Sequence, residues 1–357
     1  MVKKIVFSTI SLLLLGVGLT TNLVKADPIT VGAVITVAQV NAPIGSTEGA
    51  SDASVYYPLN EQLESFFVGN DGAVNLLYKA NNAEWQAPVK LTAPKFAPPR
   101  GNITAVYYPL NDQLEVFAVG NDGAVNVIWK EKNGPWNAPA PISSPKFAPP
   151  GANITAVYYP LNDQLEVFAV GNNGAVNVIW KENNGPWKVP GPISLPKFAP
   201  PGAGITAAYY PLNDQLEVFA VGNNGAVNVI WKENNGPWKV PGPISSPNFA
   251  PPGANITAAY YPLNDQLEVF AVGNNGAVNV IWKENNGPWK VPGPISSPNF
   301  APPGANITAA YYPLNDQLEV FAVGNNGAVN VIWKENNGPW KVPGPISSPN
   351  FALPGGS

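Results

Sequence analysis

The stretch ITAVYYPLNDQLEVFAVGNDGAVNVIWK, Ile103 to Lys130, holds three runs rich in β-branched and aromatic residues, divided by two turn signals. Ile103 to Tyr108 has the composition of a strand. Pro109 to Asp112 supplies turn chemistry. Gln113 to Gly120 is a second strand, and Asn121-Asp122-Gly123 marks a tight hairpin, because these residue types tolerate positive φ. Ala124 to Lys130 is a third strand. Beyond it, Asn133-Gly134-Pro135 turns the chain again, and Trp136 to Ser143 holds a weaker strand broken by prolines. Proline donates nothing to a β-ladder, so that fourth strand belongs at a sheet edge. A proline-rich linker, Pro145 to Gly151, leads onward.

The tract Tyr-Tyr-Pro-Leu-Asn within this stretch begins at Tyr56, Tyr107, Tyr158, Tyr209, Tyr260 and Tyr311, each start 51 residues after the last. A period of that size marks a repeat architecture. Val116 to Val119 and Val127 to Trp129 are continuous apolar runs, as expected of strands buried on both faces. A four-stranded sheet covered on both sides by copies of itself is a propeller blade. The expected fold is therefore all-β: a six-bladed β-propeller of four-stranded antiparallel blades with a 51-residue repeat over residues 51–357, Ile103 to Tyr108 being an inner strand. The first copy has drifted: Ser65-Phe66-Phe67 and Leu76-Leu77-Tyr78 stand where the second has Val-Phe-Ala and Val-Ile-Trp.

The N-terminus carries Lys3 and Lys4 ahead of an apolar run from Ile5 to Leu15, then Val24-Lys25-Ala26, the small-x-small pattern of a cleavage site. Residues 1–26 are expected to be a signal peptide, Asp27 the mature start, and the protein secreted; residues 27–50 form a leader. Within the leader, Val31 to Val40 is strand-like and is either a ring-closing strand or a loose extension. The apolar N-terminal run is short for a membrane span, and no membrane insertion is expected. The net charge is −4, falling to −7 without Lys3, Lys4 and Lys25, and no basic stripe exists, so nucleic acid is an improbable partner. The chain has no Cys and no His. That removes thiol chemistry, His-dependent triads and the commonest metal ligand. No cofactor and no metal site are expected. The near-identical copies contain no asymmetric pair of acids of the kind glycoside hydrolysis needs. Six equivalent units favour multivalent binding over a single catalytic centre, so an enzyme is not expected.

The run Asp112 to Trp136 resembles the repeat of the bacterial β-propeller lectins of the Photorhabdus type. Leu114, Glu115, Val116, Phe117, Gly120, Asp122, Gly123, Ala124, Ile128, Trp129, Gly134 and Trp136 carry the match. The resemblance implies a disc-like propeller that binds glycans, fucose among them, in clefts between blades. It departs at Asn126, where the family has Trp, and in having six copies where the family has seven blades. Another group of six-bladed lectins holds fucose through an Arg–Glu pair in each blade; Arg100 is the only arginine here, so that mode is not expected.

A sugar site needs a flat apolar face and a few fixed hydrogen-bonding groups. Trp136, Trp187, Trp238, Trp289 and Trp340, with Trp85 in the first copy, each sit just after a turn at an expected blade rim. Each is either a sugar platform or a plug between blades. Asn126, Asn177, Asn228, Asn279 and Asn330 interrupt an apolar strand and must find partners, either backbone across a blade gap or a ligand hydroxyl. Trp129 and its copies share a strand face with Val125 and Val127 and are expected in the core. Glu115 and its copies read as framework groups, and the Asn-Asp-Gly turns read as hairpins rather than calcium loops. The leading function is a secreted multivalent lectin for glycans, with a non-catalytic structural or protein-binding propeller as the alternative.

Overall fold

The computed structural model describes residues 52–80, 83–313 and 315–355. The signal peptide at 1–26, the leader at 27–50 and the strand expected at Val31–Val40 lie outside the described residues. The chain forms six four-stranded antiparallel sheets, each built from strands consecutive in sequence. In the third, Ile154–Tyr159 is the inner strand, followed by Gln164–Val170, Val176–Glu182 and the outer strand Lys188–Pro192. The six sheets are the blades of a propeller, with inner strands Asp52–Tyr57, Ile103–Tyr108, Ile154–Tyr159, Ile205–Tyr210, Ile256–Tyr261 and Ile307–Tyr312. The Pro-broken segment is the outer strand, as its missing N–H groups require. In the first two blades it shrinks to Val89–Lys90 and Ala140–Pro141. No helix among the described residues is long and apolar enough to cross a membrane.

The hairpin after the second strand depends on glycine. Gly174 has φ +76°, and a Cβ there would stand 2.4 Å from the Ala199 carbonyl oxygen, so only glycine lets the linker close over the turn. The two middle strands of a blade bury most of both faces, and alternation sorts their residues between two neighbours. In the third blade, Leu165, Val167, Ala169 and Ile179 pack toward the second blade. Tyr159, Phe168, Val170, Val176 and Val178 pack toward the fourth, against Ile205, Leu216, Val218 and Ile230. The core is thus a series of seams, and a fully buried Phe or Leu in a seam contributes about 1.5–3 kcal/mol.

Polar ties cross every seam from the first blade to the sixth. The buried second tyrosine of each tract is one. Tyr159 Oη donates to the Asp214 carbonyl (2.8 Å) and accepts from the Asn235 amide (2.9 Å), both in the fourth blade. A buried ion pair is another: Lys232 Nζ lies 2.6 Å from Glu166 Oε1, with both side chains at most 7% exposed. The same pair recurs as Lys130–Glu64, Lys181–Glu115, Lys283–Glu217 and Lys334–Glu268, each at 2.6 Å. Lys232 also donates to Gln164 (3.2 Å) and Asn235 (2.9 Å), and its ammonium stands 4.9 Å from the centre of the Tyr159 ring and 5.1 Å from that of Trp238. Burial pushes the Glu166 carboxyl above the usual carboxylate range, and Lys232 opposes the rise. Glu115 is therefore a framework group.

The sixth blade ends differently. Its far face gathers Phe321, Val323, Val329 and Val331 into a cluster that contains sixth-blade and linker residues only. Glu319, the counterpart of Glu166, has no ion pair among the described residues, and burial alone raises its carboxyl. Part of the drift in the first copy falls on the corresponding face of the first blade, while Leu76 and Tyr78 lie in the seam with the second. Ser54, Ser65 and Phe67 occupy positions that are Ala105, Val116 and Ala118 in the second blade. The opposite face keeps Val55, Tyr57, Phe66 and Val68, packed in the seam with the second blade.

The tyrosines set the response to alkali. Burial raises Tyr159 above its ordinary value of 10.0. Tyr158 is raised further by burial and by its bond to Asp163 Oδ1. Similar pairs recur around the inner strands. An acid whose pKa is higher folded than unfolded holds its proton longer in the folded state, so stability falls as pH rises past the unfolded value. In the alkaline range, thermal midpoints should begin to fall at about pH 9 and fall steeply above about pH 10. Tyrosinate absorbance should appear together with unfolding. Ionisation of most tyrosines near pH 10 with the fold intact would contradict this.

Candidate functional site

Two kinds of tryptophan share one apolar core at each seam from the second blade to the sixth. Trp180 lies on the third strand of the third blade and faces the fourth with Val176 and Val178. Trp238 comes from the fourth blade, just after the Asn235-Gly236-Pro237 turn and before the outer strand Lys239–Pro243. Both indoles are half-buried and pack on one apolar cluster that includes Phe168, Leu216 and Ile230. Trp238 meets Phe168 edge-on, with ring centres 5.8 Å apart at 86°. The arrangement repeats as Trp129 with Trp187, Trp231 with Trp289 and Trp282 with Trp340. Between the first and second blades, Tyr78 takes the first role beside Trp136. Trp333 lies on the sixth-blade cluster.

The rim tryptophans Trp136, Trp187, Trp238, Trp289 and Trp340 therefore line seams and remain partly open to solvent. Each also packs on a buried phenylalanine and stands 5.1–5.4 Å from the caged lysine. The asparagine amides are tied to backbone. Asn177 donates to the Phe147 carbonyl in the linker leaving the second blade, at 2.7 Å. Asn228, Asn279 and Asn330 do the same to Phe198, Phe249 and Phe300, at 2.6–2.7 Å. Asn126 donates instead to the Ala124 carbonyl two residues back, at 3.1 Å. Oδ1 of Asn177 accepts no hydrogen bond among the described residues.

The strand tryptophans share a face with the seam valines, as their alternation predicts, yet they are half-buried rather than enclosed. Lys188 of the adjacent outer strand lies over Trp180, with Nζ 4.1 Å from the ring centre, and is held there by Glu182 Oε1 at 2.7 Å. Sequence reasoning placed these rings in the core. The signal it passed over is the lysine after the Gly-Pro-Trp turn, which register sets opposite the strand tryptophan.

No protein-family profile and no curated protein sequence matches the chain. Solved structures do. BP39L lectin from Burkholderia pseudomallei superposes with a TM-score of 0.83 and 34% sequence identity, over 87% of this chain and 88% of that one. The chain belongs to the BP39L family of bacterial β-propeller lectins. AofleA from Arthrobotrys oligospora shares the propeller fold at TM-score 0.62 and 18% identity, covering 82% of this chain and 84% of its own. A mutant of the Aleuria aurantia lectin solved with Fucα1-6GlcNAc does so at TM-score 0.58 and 16% identity, over 87% and 97% of the two chains.

Proposed function

We propose that the protein is a secreted, multivalent, carbohydrate-binding lectin without enzymatic activity, which takes glycans in the seams between its blades. The observation that carries this is the recurrence, in one seam after another, of two half-buried indoles on a common apolar cluster, within a chain that belongs to a lectin family. An indole face packs against sugar C–H groups, while hydroxyls require acceptors nearby. Oδ1 of Asn177, whose amide is tied to the linker, stays an unused acceptor in the same seam, four residues along the strand from the Lys181 that flanks Trp187. Titratable groups buried in the seams are paired across blades and support the fold rather than proton transfer. Secretion rests on the N-terminal basic, apolar and small-residue pattern.

The related folds solved with fucosides make fucosylated glycans the first ligands to try. A glycan array probed with the chain from Asp27 onward should give binding that rises steeply with glycan density, because a second seam engages the same surface intramolecularly. Absence of binding at high density would overturn the proposal and favour a protein-binding propeller.

A further inference from the structure

The seams are not equivalent, and the difference lies in one outer-strand residue. Lys188, Lys239 and Lys290 each lay an ammonium 4.1 Å from the centre of the strand tryptophan of their own blade: Trp180, Trp231 and Trp282. Glu182, Glu233 and Glu284 hold these lysines at 2.7–2.8 Å. Each indole packs on the seam core and is only partly buried, and the lysine lies over its ring. Its charge is already matched by the glutamate, which suits a cap better than a receptor for anions.

The second blade breaks the pattern. Asn137 stands where the later blades have lysine, and its amide folds back to the Trp129 carbonyl at 3.2 Å instead of covering the ring. The outer strand there is only Ala140–Pro141, against the five residues of Lys188–Pro192. Glu131, the counterpart of Glu182, has no ion pair among the described residues; its Oε2 accepts from Gln113 at 3.3 Å. The seam between the second and third blades thus combines two indoles, Trp129 and Trp187, with no lysine over the first and a carboxylate that no cation neutralises. The seam between the first and second blades also lacks the lysine, but offers Tyr78 instead of a second indole.

We propose that the Trp129–Trp187 seam is the tightest glycan site of the molecule, that it takes neutral, hydroxyl-rich sugars and disfavours acidic ones, and that the lysines weaken the three later seams by capping their indoles. This deepens the lectin reading and rests on it. A sugar entering a capped seam must displace a cation from an aromatic face, which weakens binding by about two- to fivefold relative to the bare ring.

The test has two arms. Brief oxidation of the folded protein by N-bromosuccinimide, read by peptide mass spectrometry, should modify Trp129 ahead of Trp180, Trp231 and Trp282. Methyl α-fucoside should protect Trp129 at the lowest concentration. By calorimetry, Asn137→Lys should remove the tight class of sites, and Lys188→Asn should create a second one. Equal oxidation of Trp129 and Trp180, or unchanged fucoside affinity in Asn137→Lys, would overturn the proposal. If Trp129 is oxidised first but neither the fucoside nor any arrayed glycan binds the wild-type chain, the cap stands and the lectin reading beneath it falls.

Discussion

Lys232→Met should lower the unfolding free energy by about 3–5 kcal/mol, because it leaves the Glu166 carboxylate in a dry seam with no cation. Glu166 is 1% exposed, and Lys232 is the group that lies 2.6 Å from it. The raised Glu166 carboxyl limits the loss at low pH, where the acid is neutral in any case, so the effect should be largest at neutral pH and above. In a protein of this size the change corresponds to a thermal midpoint lower by on the order of 10 °C. Glu166→Leu combined with Lys232→Met should recover much of that loss, since a well-packed apolar pair replaces a buried ion pair at little or no net cost. Recovery should be incomplete, because Gln164 and Asn235 both lose the ammonium as a donor. Lys239→Met supplies the contrast. Its pair with Glu233 is about as short, at 2.8 Å, but the two side chains are 45% and 35% exposed, and the change should be about 0–1 kcal/mol. Equal effects from Lys232→Met and Lys239→Met would show that burial does not govern these pairs.

That contrast also marks what a single sequence discloses. The blades were legible because their signals are local. Asn121-Asp122-Gly123 can be read as a hairpin without knowing what packs above it, and the prolines of the fourth strand confine it to an edge. The period then assembles the blades, since sheets that are apolar on both sides need neighbours. The seam chemistry was not legible in the same way. Lys181 and Glu115 are 66 residues apart, and only the stacking of one blade on the next makes them partners. Glu115 could be recognised as needing a donor inside an apolar strand, but nothing near it in sequence identified Lys181. The strand tryptophans were placed on the correct face, yet their partial exposure depends on how far the outer strand reaches, and no periodicity encodes that. The drift in the first copy reads as scattered change along the chain. On the folded blade it divides: Ser54, Ser65 and Phe67 share the face turned away from the second blade, while Leu76 and Tyr78 lie in the seam with it.

Loss of the rim indoles should have the largest effect on binding. Replacing Trp136, Trp187, Trp238, Trp289 and Trp340 together by Leu should weaken attachment to a fucosylated surface by at least about a hundredfold, because avidity collapses once the seams fail in concert. Trp238→Leu alone should cost only a few-fold on that surface. In solution it should remove one site from the stoichiometry and leave the affinity of the others unchanged. Leu is preferable to Ala here, because Trp238 also packs edge-on against Phe168 and flanks the Lys232 ammonium, so truncation to Ala would open the seam core as well as the platform. Leu keeps apolar volume over Phe168 while removing the flat face a sugar needs. The cation–aromatic contact to Lys232 is lost in either case, but the Tyr159 ring and the Glu166 carboxylate still hold the ammonium. If the combined variant keeps its circular dichroism spectrum and still binds, the rim tryptophans are plugs between blades, and the glycan lies elsewhere. If the combined variant does not fold, the stoichiometry of Trp238→Leu decides the matter, because one altered seam leaves the other indole pairs, Trp129 with Trp187 among them, as they were.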